Sequence, residues 1–154
     1  MSRFVPKIAP REFTTVRTFA APRDLVFEAW IDPVRISAWF GPRGFSAPLQ
    51  AITNDPRPGG RWNVTMVDDA TGLPYPCSFT YSEITPPERI IFMDREPGRL
   101  DGRETVNTVT FAEVHGGTEM TFHCADTDPR PEYAGVEQGW GTSFDKLAEL
   151  LGSH

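Results

Sequence analysis

EYAGVEQGWGTSFDKLAELL, residues 132–151, is the stretch from which the fold is read. Val136, Trp140, Phe144, Leu147 and Leu151 recur at the three-and-four spacing that lines one face of a helix, while Glu137, Asp145, Lys146 and Glu149 fall elsewhere. An apolar stripe of this length has to be covered by something. No second helix of similar length is legible, and several strand-patterned segments come first, so the predicted partner is a sheet. Gly139 and Gly141 each weaken a helix interior by about 1 kcal/mol relative to alanine. They suit close backbone approach or a bend that admits a ligand, and they equally suit the room that Trp140 needs.

Working back to the start of the chain, residues 1–12 carry Pro6 and Pro10 and read as an arm leading into a first strand at Phe13 to Phe19. Pro22 suits the first turn of a helix, with Leu25, Val26, Ala29 and Trp30 as its apolar face. Asp32-Pro33 ends this helix and opens a second, Pro33 to Phe40, which stops at Gly41-Pro42.

The period then changes to that of strands, beginning with Ala47 to Asn54. After the turn Asp55 to Gly60, where Asp55 is expected as a turn-stabilising acceptor, Trp62, Val64 and Met66 alternate with polar residues. Tyr75, Cys77, Phe79 and Tyr81 share a face of the next strand, and Arg89 to Met93 forms another. Asp94 to Arg103 reads as an exposed loop. Val109 and Phe111 lead through His115-Gly116-Gly117 to Met120, Phe122 and Cys124, a hairpin. Pro131 is placed to open the final helix. The class is α+β: a strand, two short helices, about six strands in antiparallel succession and a long helix. Short turns favour a meander over crossovers.

Composition narrows the partners. The chain has 154 residues, enough for one domain with a real core, and a formal net charge of −6 without a cluster of Lys or Arg. Nucleic acid and anionic membrane both demand a positive surface and are excluded as main partners. No apolar run approaches the roughly 20 residues of a membrane span, and the first eleven residues lack the apolar core of a signal peptide, so a cytoplasmic location is expected. Cys77 and Cys124 lie on different predicted strands without metal or redox spacing, and are expected as reduced, buried thiols.

Five segments resemble one family: RTFAAPRDLVFEAWIDPVRISAWFGP (17–42), DPRPGGRWNVTM (55–66), SEITPPERIIF (82–92), TVTF (108–111) and GW with the later FDKLAELL (139–151). In this order they are similar to the SRPBCC or START-like superfamily. Within it they resemble bacterial homologues of the ATPase activator of the ninety-kilodalton heat-shock chaperone. The resemblance implies a helix-grip fold, a curved antiparallel sheet wrapped around the C-terminal helix with a cavity between them. It implies a single domain over residues 13–152, without the preceding domain that contributes to chaperone binding in the eukaryotic activators. Members of the wider superfamily bind lipids, hormones or aromatic polyketides, and some catalyse cyclisation. Phe79 departs from a position where the family pattern usually has glycine, and a ring there narrows a cavity or shapes it for a flat ligand.

The expected cavity lining is Trp39, Phe40, Trp62, Met66, Phe79, Tyr81, Phe92, Met120, Trp140 and Phe144, since ligand pockets are mostly apolar with few polar fixtures. The same rings can equally fill a core. Tyr81 is the expected polar fixture. Catalytic signals are thin: His115 sits in a turn, His154 is the last residue, and His123 points away from the face taken by Phe122 and Cys124. Glu119 and His123 are too far apart along one strand to share a metal ion. There is no GxSxG and no phosphate loop, which leaves Tyr81, Glu83 and Glu104 as the places to look for an acid or base.

The expected function is therefore binding of a small hydrophobic or aromatic ligand, with no cofactor and no metal. The alternatives are an enzyme like the polyketide cyclases and dehydratases, or interaction with a chaperone ATPase in a stress response. Monomer and homodimer both remain open.

Overall fold

The computed structural model describes residues 11–94, 105–126 and 136–152. Strand β1 (Arg11–Phe19) is followed by α1 (Arg23–Ile31) and α2 (Pro33–Trp39), then β2 (Phe45–Ser46), β3 (Thr53–Asn54), β4 (Arg61–Asp68), β5 (Pro74–Thr85), β6 (Arg89–Asp94), β7 (Thr105–Val114) and β8 (Gly117–Asp126), and finally α3 (Val136–Leu151). The strands form one antiparallel sheet in the order β1-β8-β7-β6-β5-β4-β2, with β3 also on β4. The sheet curls strongly into a half-barrel, and α3 lies in its concave face. This is the α+β helix-grip architecture that the sequence predicts, with the two short helices after the first strand.

Local chemistry explains the elements. Asp32 ends α1 and caps α2, its side chain accepting from the Val34 N–H at 3.2 Å, with Pro33 in the first turn where a missing N–H is harmless. Two residues, His115 and Gly116, join β7 to β8, and Gly116 takes a φ of +86° as a tight hairpin requires. Helix α3 ends at Gly152, whose φ is +88° and whose carbonyl accepts from the Ala20 N–H at 3.0 Å, tying the helix to the end of β1.

Further bonds hold α3 on both sides. Arg17 on β1 donates to Asp145 at 2.8 Å and to the Gly141 carbonyl at 3.0 Å. On the opposite side, Ser143 donates to the Trp39 carbonyl at 3.0 Å and Lys146 to the Phe45 carbonyl at 3.2 Å.

The structure differs from expectation in three places. Ala47 to Asn54 is not one strand but a 3-10 turn, Leu49–Ala51, leading into the two-residue β3. Pro48 has no N–H for a ladder, and the Ala47 carbonyl accepts from Ser37 of α2 rather than from a strand. On α1 the buried residues are Val26, Phe27, Ala29 and Trp30, whereas Leu25 is exposed. Phe27 turns inward because it meets Phe111 of β7 edge-on at 5.5 Å. Tyr75 does not join the inner face. It is exposed and packs on Phe45, where β5 runs toward the rim.

Other readings fall on the remainder of the chain. Residues 1–10 of the arm, the loop at 95–104 with Glu104, the start of the final helix at 132–135 and His154 lie outside the described residues. Among the described residues no helix is long and apolar enough to cross a membrane.

Candidate functional site

The concave face is built in rows across the sheet. Register places Tyr81, Phe92, Asn107, Cys124 and Phe13 in one row from β5 to β1, and Phe79 and Asp94 in the row beside it. Alternation points these side chains inward, toward α1 and α3. Trp62 on β4 stands opposite Phe79, and Trp140 and Phe144 come down from α3.

Eight of the ten predicted lining residues meet in one connected set of rings. Trp62 lies 4.9 Å from Phe79, 5.2 Å from Phe92, 5.3 Å from Phe40 and 6.3 Å from Tyr81, centroid to centroid. Trp140 lies 5.8 Å from Phe40, 6.2 Å from Phe92 and 5.7 Å from Phe144, which in turn meets Trp39 at 6.3 Å. Such aromatic pairs, most of them tilted or edge-to-face, add about 0.5–1.5 kcal/mol each beyond burial. Met66 and Met120 stand outside the ring set. Met66 is half-buried at the rim beside Gly41, and Met120, fully buried, pairs with Phe111 and Arg17 in a more distant row.

Trp30 of α1 is at the centre, although the sequence reading keeps it as helix packing only. Its ring touches those of Trp39, Trp62, Phe92, Phe122, Trp140 and Phe144 at 4.7–6.5 Å. Phe122 also belongs to the set, 4.7 Å from Trp140. Asn107, like Trp30 and Phe122, is absent from the predicted lining. Alternation with Val109 and Phe111 places it inward, a signal available in the sequence.

Trp140 stands apart in exposure. Trp30, Trp39, Trp62, Phe92, Phe122 and Phe144 are fully buried, whereas Trp140 is half-buried. It is flanked by two glycines whose missing side chains are not required for space. A Cβ on Gly141 would meet nothing within 4 Å, and one on Gly139 would only reach Pro42 at an ordinary 3.9 Å. What the glycines change is the intrinsic helix strength of the turns that carry Trp140.

The polar groups of the interior are few. Tyr81 donates from its hydroxyl to Asn54 Oδ1 at 2.7 Å, and Asn54 Nδ2 donates to the Ile31 carbonyl at 2.6 Å, so this phenol joins β5 to α1. Burial pushes its pKa up, keeping it neutral. Burial, with a smaller contribution from the Asp94 charge, pushes the Cys77 thiol up to about 11. Neither cysteine forms a disulfide; Cys124 is buried and Cys77 only partly so.

Asn107 is 2% exposed; its Nδ2 donates to the Phe92 carbonyl at 3.4 Å, and its Oδ1 is buried without a hydrogen-bond partner. The indole N–H groups of Trp30 and Trp62 are likewise buried and unpartnered. Each such group costs about 1–3 kcal/mol in a closed interior.

The remaining candidates are peripheral. Glu83 is on the surface, accepting from Arg89 at 2.6 Å and from Thr85, contacts that hold its carboxyl below the usual range. His123 is on the outer face, 2.7 Å from Glu12. Asp55 accepts from Arg57 within its turn at 2.7 Å. Among the described residues no three His, Cys, Asp or Glu side chains are grouped to hold a metal ion.

Solved structures repeat this architecture. A Chromobacterium violaceum protein superposes with a TM-score of 0.80 at 26% identity, covering 93% of this chain and 98% of that chain. A Nitrosomonas europaea protein gives 0.76 at 26% identity, covering 91% and 93%. For the AHSA1 protein of Silicibacter pomeroyi the values are 0.77 at 22% identity, covering 92% and 97%. No curated protein matches the sequence. The family model described as Activator of Hsp90 ATPase homolog 1-like protein matches residues 20–152, and with the fold in agreement over that range the chain belongs to this family.

Proposed function

We propose that the chain binds a small hydrophobic or aromatic molecule between the curved sheet and α3, admitted at the turns of α3 that carry Trp140, in the cytoplasm. The observation that carries this reading is Trp140, only partly buried, set between two glycines that packing does not require, on top of an otherwise buried ring set. A ligand that takes the place of this ring meets Trp30, Phe40, Phe92 and Phe122, faces suited to a flat molecule. The buried polar side chains Asn107, Thr118 and Ser143 are not ionisable, and Tyr81 and Cys77 are held neutral, which favours binding over acid–base turnover.

Titration of the full chain with N-phenyl-1-naphthylamine is the test. Saturable fluorescence enhancement reversed by naphthalene is expected, and a signal that neither saturates nor is displaced would overturn the reading.

Family membership favours a second reading, contact with a chaperone ATPase. Stimulation of the ATPase rate of a purified heat-shock chaperone by the purified chain would support it, and an unchanged rate would remove it.

A further inference from the structure

We infer that Asn107 is the polar anchor of this site, accepting a hydrogen bond at Oδ1 from the hydroxyl of a flat aromatic alcohol or phenol. The inference rests on the binding reading above and names the chemical class of the ligand.

Asn107 lies in the interior of β7, paired with Phe92 on β6 and Cys124 on β8. The Asn107 Nδ2 reaches the Phe92 carbonyl at 3.4 Å. The Phe92 carbonyl can only accept, so the nitrogen faces it and the oxygen faces away, buried and without a partner. Asparagine is also a poor strand former, and an aliphatic residue at this place would leave no acceptor to satisfy.

Trp140 lies against the rings on both neighbouring strands, Phe92 on β6 at 6.2 Å and Phe122 on β8 at 4.7 Å. A ring that bridges β6 and β8 crosses β7, so a molecule replacing Trp140 comes to rest over the strand that carries Asn107. Two further unpartnered groups surround the same Phe92. The rings of Trp62 and Trp30 touch it at 5.2 and 5.9 Å, and both carry an unpartnered indole N–H. Among the described residues, the ring set thus carries the unpartnered acceptor of Asn107 and the unpartnered donors of Trp30 and Trp62. A hydroxyl donates one hydrogen bond and accepts others, and it answers both kinds of group where a hydrocarbon answers neither.

The test compares 1-naphthol with 1-methylnaphthalene, which differ by a hydroxyl in place of a methyl group, on the full-length chain and on Asn107→Leu. The wild type is expected to hold 1-naphthol about tenfold more tightly. Asn107→Leu is expected to lose that preference while still binding 1-methylnaphthalene. A second readout does not depend on the variant: both probes should move the Asn107 side-chain amide resonances through the ring current, and 1-naphthol should add a hydrogen-bond shift that 1-methylnaphthalene lacks, equal shifts from the two counting against the anchor. Equal wild-type affinities, or a preference that survives Asn107→Leu, would overturn the anchor and leave the binding reading intact. Failure of both probes to bind would overturn both.

Discussion

The indoles of Trp30 and Trp140 stack 6.2 Å apart with their planes 19° from parallel, joining the first helix to the last across the concave face of the sheet. One is buried to 1% exposure and the other is only partly buried, so the contact joins a ring of the core to one nearer the surface.

Trp30→Ala is expected to lower unfolding free energy by about 3–5 kcal/mol, because six neighbouring rings lose their common contact. Trp140→Ala should lose about 2 kcal/mol, since less area returns to water. Urea midpoints measure both, and equal losses would contradict the distinction.

Gly141→Ala is expected to stabilise the protein by about 0.5–1 kcal/mol, because the new methyl group meets open space and the helix gains propensity. The same turn becomes stiffer, so stopped-flow measurement of aromatic probe uptake should show slower binding. Gly60→Ala serves as the opposite case. Its Cβ would stand 2.0 Å from the Asp55 carbonyl oxygen, and a loss above about 2 kcal/mol is expected.

Stability should decline in alkali. The folded state retains the Cys77 proton up to about pH 11, whereas the unfolded thiol releases it near its ordinary 9.0, so the folded chain binds more protons in that window. Unfolding free energy therefore falls as pH rises from about 9 to about 11 and no further from this group. Tyr81, whose pKa burial also raises, adds a fall beginning near the ordinary phenol range of about 10. Urea midpoints across this range, with Cys77→Ala removing the thiol part, check the sign.

Phe79→Ala should cost about 3–5 kcal/mol, as Phe79 lies 4.9 Å from Trp62 and 5.0 Å from Phe92 at the centre of the packing. If this ring limits the space under α3, the variant should also bind a three-ring aromatic such as anthracene more tightly than the wild type does. Isothermal titration with the two-ring and three-ring probes reads the change.

The sequence by itself determined the periodic features. The stripe Val136 to Leu151, the alternations at Trp62–Met66 and Met120–Cys124, and the turn at His115-Gly116 are local patterns set by helix pitch and strand pleat, and all reappear in place. Most of the ring set was legible for the same reason, since alternation says which rings point inward. What only tertiary structure decided is which groups meet. Trp30 becomes the hub because the sheet curls around two helices at once. The Tyr81 hydroxyl finds Asn54, a residue 27 positions away, and so serves the fold. Ala47 to Asn54 gives up its strand because α2 takes its carbonyl. Asn107, in the folded row between Phe92 and Cys124, is left with an unanswered oxygen. These outcomes depend on strand register and sheet curvature, which bring together residues whose separation along the chain no local period encodes.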